Sequence, residues 1–261
     1  MNIASFALIG TLAVSPAFGQ ASQNLAPTTL PSQTTLPIVF TQSVSADHDH
    51  IGDPISAKTI QVVKLPDGTV IPSGSRIVGK VVEATPFSFD KTPYAKQRNS
   101  TLAIRFDEVI VANQHLPLKV YVRAMADPIA SNGARESFGN DDTQATTEQI
   151  GGDQVRPGTS EVVSRDGDVV AYTRRDGVYA HLIVHSGNAS APCDGSSVEV
   201  SVDIFSASAC GLYGFSGLSA TEVGSTSNPS TFALVSNHRS PKIWQHSTAL
   251  LEVLPQTIAQ R

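Results

Sequence analysis

Charge, cysteine and large aromatic side chains are all scarce in this chain. Of 261 residues only 16% are charged and 6% aromatic, with 2 Cys and 1 Trp. So little charge argues against a helical bundle, whose exposed faces are normally filled with Glu, Lys and Arg. A formal net charge of -5 with no basic block argues against nucleic acid as a partner, because phosphate neutralisation needs clustered cations. Arg174 and Arg175 are the only adjacent basic pair that could suggest one. After the first residues no apolar run is long enough to cross a membrane as a helix. The signatures of several reaction classes are missing too: G-x-S-x-G, H-E-x-x-H, the phosphate-binding P-loop and G-x-G-x-x-G. What remains is rich in Gly, Pro, Ser, Thr and Val, which is the composition of an all-β fold.

The N-terminal stretch carries an apolar run from Ile3 to Val14, followed by small residues around Ala17 and Gly19. That pattern predicts a signal peptide over residues 1–21, cut near Gly19 or Ala21, and hence a periplasmic or secreted protein without a transmembrane span after cleavage. Export agrees with the cysteine count. Cys193 and Cys210 are an even pair without C-x-x-C spacing, which points to one structural disulfide rather than to a metal site.

Residues 22–37 are uncharged and Pro/Thr/Gln-rich, the composition of an extended tether. From Ile38 the pattern becomes strand-like. Leu116, Leu118, Val120, Val122 and Ala124 alternate with Pro117, Lys119, Tyr121, Arg123 and Met125, which predicts a strand with the first set buried. Leu102, Ile104 and Phe106 alternate likewise, and further strands are expected at 38–42, 55–63 and 77–84. Turns fall at Pro66-Asp67-Gly68 and Pro72-Ser73-Gly74. Residues 38–126 therefore read as the strands of a small β-barrel. Residues 127–156 have few large apolar groups and read as a flexible loop or linker. Residues 157–240 read as a β-rich, disulfide-bonded insertion, 241–254 as a closing barrel strand and 255–261 as a tail.

The segment from Leu36 to Phe87, followed by Ser100 to Val120, resembles the C-terminal β-barrel of the conjugation TrbI-like family, the scaffold subunits of type IV secretion systems. The resemblance lies in an opening apolar strand, Gly52-Asp53 before an alternating strand, the stretch from Asp67 to Gly79 with Ile71-Pro72 and Gly74-Ser75-Arg76, and the strand Ala103 to Val109. Pro72 and Gly74 suit a tight turn, and Gly79 permits crowding or a bulge in a small barrel. The resemblance implies that the strand His246 to Leu254 pairs near the first strand and closes the sheet.

Candidate chemistry is sparse. Asp47-His48-Asp49-His50 is the densest set of ionisable groups. If extended, it would put His48 and His50 on one side roughly 6.6 Å apart, within reach of a shared metal given a third ligand. The competing reading is a polar loop that caps a turn. His181 and His185 lie on a strand pattern, too far apart for one ion. Ser88 and Lys91 fit S-x-x-K without the accompanying motifs, and Asp107, Glu108, Asp141 and Asp142 show no pairing in sequence. Tyr213, Phe215 and Trp244 are either a binding surface or the small core of the second half. No catalytic residue, metal or cofactor is expected. The function expected is a non-catalytic envelope module binding a protein or surface polymer. The alternatives are a structural component of a conjugation or type IV secretion assembly and a secreted hydrolase.

Overall fold

A computed structural model describes residues 29–65, 67–93, 96–136, 146–156, 159–174, 177–180, 183–184, 198–199 and 202–255. Strands β1 (Thr35–Phe40), β2 (Val44–Ser45), β3 (Pro54–Thr59), β4 (Val63–Lys64), β5 (Val70–Ile71), β6 (Arg76–Thr85), β7 (Ser100–Val111), β8 (Gln114–Pro117) and β9 (Val120–Ala126) precede the helix α1 (Pro128–Glu136). Then come β10 (Thr147–Glu148), β11 (Gln154–Arg156), β12 (Glu161–Val163), β13 (Val169–Arg174), β14 (Gly177–Ala180), β15 (Ile183–Val184) and β16 (Val198–Glu199). The chain ends with β17 (Gly211–Tyr213), β18 (Ser219–Glu222), β19 (Thr231–Ser236), β20 (Lys242–Ile243) and β21 (Thr248–Val253).

Ten strands form one nearly closed, barrel-like sheet in the order β17-β9-β21-β1-β3-β6-β7-β19-β18, with β8 paired to β7. The last strand does lie beside the first: β21 pairs antiparallel with β1, Leu36 opposite Leu251, and on its other side with β9. The open seam is bridged by single backbone bonds. Val122 N–H donates to the Val223 carbonyl (2.7 Å) and Ser230 N–H to the Val120 carbonyl (2.7 Å). Closure of this kind leaves little unpaired edge to attract another chain.

The barrel interior holds Leu36, Ile38, Phe40, Ile55, Ile77, Ile104, Phe106, Phe232 and Leu251, all within 2% of full burial. Phe40 and Phe106 meet at 6.2 Å with tilted rings, a favourable aromatic geometry. Gly79 behaves as its sequence context suggests. The β6–β7 register slips between Val78 and Gly79, and a Cβ there would stand 2.0 Å from the Arg105 carbonyl oxygen. The Pro72 turn is fixed by Thr59, whose hydroxyl donates to the Pro72 carbonyl (2.7 Å).

Several expected boundaries are corrected. Leu30 and Leu36 are buried in the barrel core, so the expected tether 22–37 ends inside the fold, and β1 starts at Thr35. The expected loop 127–156 contains α1, β10 and β11. Its few large apolar residues suffice because Ala130 and Ala134 pack against Ala124, Ala126, Ile150, Ile204 and Phe205, a second core on the outer wall of β9 and β21. The span 157–240 divides: β10 to β14 form a separate five-stranded sheet, whereas β17, β18 and β19 belong to the large sheet.

The two-residue alternation in β9 also breaks. Val122 and Met125 face the barrel core while Ala124 and Ala126 face the second core. The register between β21 and β9 steps at Leu250/Leu251, which leaves Arg123 as the additional residue of a bulge. A bulge re-aims the side chains that follow it. Here it sends a buried Arg123 toward the second core, where its Nε donates to the Ala209 carbonyl (3.2 Å) and a terminal nitrogen donates to the Ala207 carbonyl. Its guanidinium lies 3.6 Å from the Glu252 carboxylate, an ion contact in which each side chain is only 5% exposed.

Candidate functional site

Strand register fixes which loops share an end of the barrel. Thr85 is opposite Thr101, Ser236 opposite Ser100, and Thr248 opposite both Val39 and Ala126. The connections 41–53, 86–99 and 237–247, together with the start of α1, therefore emerge at one end. The first and last described residues lie at the other, where Thr29, Leu30, Val253 and Pro255 line a cavity of about 310 Å³ with Pro117 and Lys119. Ile51, Phe89, Ile129 and Trp244 sit at the loop end with 72%, 67%, 83% and 50% of their surface exposed. Of the large apolar side chains exposed among the described residues, only Val70 and Tyr172 lie elsewhere.

These loops are tied to one another. The Ser240 hydroxyl donates to Asp47 Oδ1 (2.5 Å) and accepts from the Phe87 N–H (2.7 Å), so one side chain joins all three. The Ser100 hydroxyl contacts the Ser236 and Arg239 carbonyls (2.8 and 2.7 Å), which fixes the far root of loop 86–99 against loop 237–247. Within loop 86–99 the buried Gln97 accepts from Asp90 N–H (2.9 Å) and donates to the Thr92 carbonyl (2.8 Å). Phe89 thus stands on a braced loop, and exposed aromatics held this way lose little entropy on binding. Lys242 places its ammonium 3.6 Å from the centre of the Trp244 ring, a cation–π pair that orients the indole.

The loop end is electrostatically divided. Loops 86–99 and 237–247 carry Lys91, Lys96, Arg98, Arg239 and Lys242 against a single acid, Asp90. Loop 41–53 carries Asp47, Asp49 and Asp53 with His48 and His50. A cavity of about 650 Å³, lined by Ile129, Ser131, Arg135 and His246, separates α1 from loop 237–247.

His48 and His50 do not form the extended pair that would share a metal. The segment turns: His48 and Asp49 N–H groups both donate to the Ser45 carbonyl (3.2 and 2.9 Å), and the Ser45 N–H donates to Asp49 Oδ2 (2.6 Å). His50 reaches only Asp53, at 3.6 Å, and its side chain is 87% exposed. Among the described residues no three His, Cys, Asp or Glu side chains are arranged to hold a metal ion. Phe215 is buried in the barrel core, and Tyr213 is partly buried against the second core with its hydroxyl accepting the Cys210 N–H (3.1 Å). Of the three aromatics singled out from sequence, only Trp244 lies on the surface. Asp107 pairs with Arg105 and Glu108 with His115, each at 2.8 Å. Ser88 and Lys91 are both exposed on loop 86–99. His181, His185, Cys193, Asp141, Asp142 and the predicted signal peptide lie outside the described residues.

Sequence reading missed Ile51, Phe89, Ile129 and the connecting Ser240. Each is unremarkable in its own segment, and what groups them is strand order, which local pattern does not reveal. Compared with known protein families, with curated proteins and with solved structures, the chain matches none.

Proposed function

We propose that the chain is an exported, non-catalytic β-barrel module of the cell envelope that holds a protein or surface polymer on the loop end of its barrel. One observation carries the reading: Ile51, Phe89, Ile129 and Trp244 are exposed at the end of the barrel opposite to the first and last described residues. Exposed apolar surface of this kind is costly in water and marks interaction sites when it is contiguous. The Cys193–Cys210 bridge belongs to the same proposal, and no free cysteine is found among the described residues. A place in a conjugation assembly rests on the resemblance of Leu36 to Phe87, Ser100 to Val120 and the final strand.

The test is site-specific photo-crosslinking in the producing cell. A crosslinker replacing Phe89 or Trp244 is expected to capture envelope material, and one replacing Val70 or Tyr172 to capture little. Equal yields from all four positions would overturn the reading. Mass mapping of the exported protein checks the bridge and the cleavage near Gly19 or Ala21; free thiols and a retained Met1 would remove both from the proposal.

A further inference from the structure

We infer that loops 86–99 and 237–247 bind a linear anionic polysaccharide, an inference that rests on reading the loop end as the binding surface. The chain carries a net charge of -5, yet these two loops hold five cations and one acid. Lys91, Lys96, Arg98 and Arg239 are exposed, and Lys242 is half-buried beside Trp244. Among the described residues none of the five is in an ion pair with an acid. The same holds of Lys58, Lys64, Arg76, Lys80 and Lys119 elsewhere, so what sets these two loops apart is their ratio of five cations to one acid. Cations displayed without internal counter-charges are available to an external anion, and a local excess of positive charge on a negative molecule concentrates one there.

Phe89 and Trp244 give these loops a second property. Both rings are exposed on loops tied by the Ser240–Phe87 bond, and Lys242 fixes the indole in place. An aromatic face between cations suits a sugar ring whose apolar C–H face stacks while its carboxylate meets Lys or Arg.

The shape of the charge selects among anions. Loop 41–53 of the same end presents Asp47, Asp49 and Asp53, and Asp47 is joined directly to Ser240. A flat anionic bilayer, or a broad acidic protein face, would press on these carboxylates as well as on the cations. A single polymer strand follows the two basic loops and leaves the acidic one uncovered. Five cations suit the spaced charges of a uronic-acid polymer, while the denser phosphates of nucleic acid would also meet repulsion from the rest of the chain.

Trp244 is the single tryptophan, so its emission reports on the site itself. The probe is polygalacturonate, titrated beside its fully methyl-esterified form, which keeps the backbone and loses the charge. Polygalacturonate is expected to change Trp244 emission, to bind more weakly as salt rises, and to bind about tenfold more weakly, measured by calorimetry, to the triple variant Lys91→Gln/Lys96→Gln/Arg98→Gln. The charge-matched variant Lys64→Gln/Arg76→Gln/Lys119→Gln, whose residues are exposed at the opposite end, is expected to bind as the parent does; equal losses in both variants would make the effect one of net charge and sink the site. Equal response to the methyl ester would also overturn the inference. So would stronger response to poly-L-glutamate, oligothymidylate or phosphatidylglycerol vesicles, each of which names a different partner class. If no polymer binds while crosslinks persist at positions 89 and 244, this inference fails and the binding-module reading stands; loss of those crosslinks removes both.

Discussion

Replacing Arg123 by Met tests how the segment 202–209 is fastened to the barrel. The guanidinium is buried, contacts Glu252 at 3.6 Å and donates to the Ala207 and Ala209 carbonyls. Without it the Glu252 carboxylate, whose residue is 4% exposed, keeps its desolvation cost and loses its counter-charge. Breaking one half of a buried pair typically costs about 3–5 kcal/mol, whereas replacing both halves by apolar side chains is often close to neutral. Against a total stability on the order of 5–15 kcal/mol, the single variant loses about a fifth or more. At 2–4 °C per kcal/mol for a domain of this size, the midpoint of thermal unfolding falls by roughly 10 °C. Arg123→Met/Glu252→Leu is expected to recover about half of that loss, because the two carbonyls still lack their donor, at about 1 kcal/mol each. Urea denaturation of parent, single and double variants measures these differences directly. A single variant within about 1 kcal/mol of the parent, or a double variant no better than the single, would refute the reasoning.

Three other perturbations follow from the same physics. Gly79→Ala is expected to destabilise by about 2 kcal/mol or more, because the new methyl meets Arg105 backbone that cannot move without breaking the β6–β7 ladder; Gly133→Ala in α1 meets nothing within 4 Å and is expected to stabilise by about 0.5–1 kcal/mol, so similar unfolding midpoints for the two would contradict the packing argument. Burial pushes the Asp203 carboxyl above its ordinary 3.8, an effect that Arg135 at 3.6 Å and the Ile204 N–H only partly offset. The folded state therefore holds that proton longer than the unfolded one, and this group's contribution is present below pH 3.8 and is lost as pH rises through the folded value. Asp203→Asn, which also suits the left-handed backbone there (φ 52°), is expected to exceed the parent in stability at pH 7 and to match it near pH 3; a constant difference across that range would be the contrary result. Ser240→Ala removes the tie between Asp47 and Phe87, and is expected to cost about 1 kcal/mol and to speed tryptic cleavage after Lys91 and Lys96. Unchanged cleavage would mean that the hydroxyl does not brace the loops.

How much of this was legible in the sequence depends on the range of the interaction. Alternation in Leu102 to Phe106 located β7, because one face is buried and the pattern is local. No local pattern places the last strand beside the first, where β21 pairs with β1. Pattern failed where a bulge intervened. In β9 the residues on both sides of Arg123 are apolar, so alternation continued through a point where the burial face changes. It failed again at α1, which buries Ser131 and Ala134 and partly covers Ala130, residues too small to register as a hydrophobic stripe. Asp127 was the available signal there, as an N-cap whose carboxylate accepts the Ala130 N–H (2.8 Å). The exposed apolar loop end is the least legible part, since Ile51, Phe89 and Trp244 come from three loops that only the strand order brings to one end.

That same order explains why the excursion after β9 can be added without opening the barrel. The chain leaves β9 at the loop end through Asp127 and forms α1. It returns along the outer wall as residues 202–209, which dock on the Arg123 bulge and beside Ile150. It then runs back up as β17, parallel to β9, until the Tyr213 carbonyl accepts the Asp127 N–H at 2.9 Å, so entry and exit of the excursion are bonded to each other. Gly214 makes the next step possible: its φ is +79°, and a Cβ would lie 2.3 Å from the Asp127 carboxylate that caps α1. β18 can then descend to deliver Val223 to the Val122 N–H and complete the seam. The buried ion contact at Arg123 and the glycine at 214 thus serve one geometrical task. They allow about eighty residues to leave and rejoin the sheet at one point, with the barrel wall between them intact.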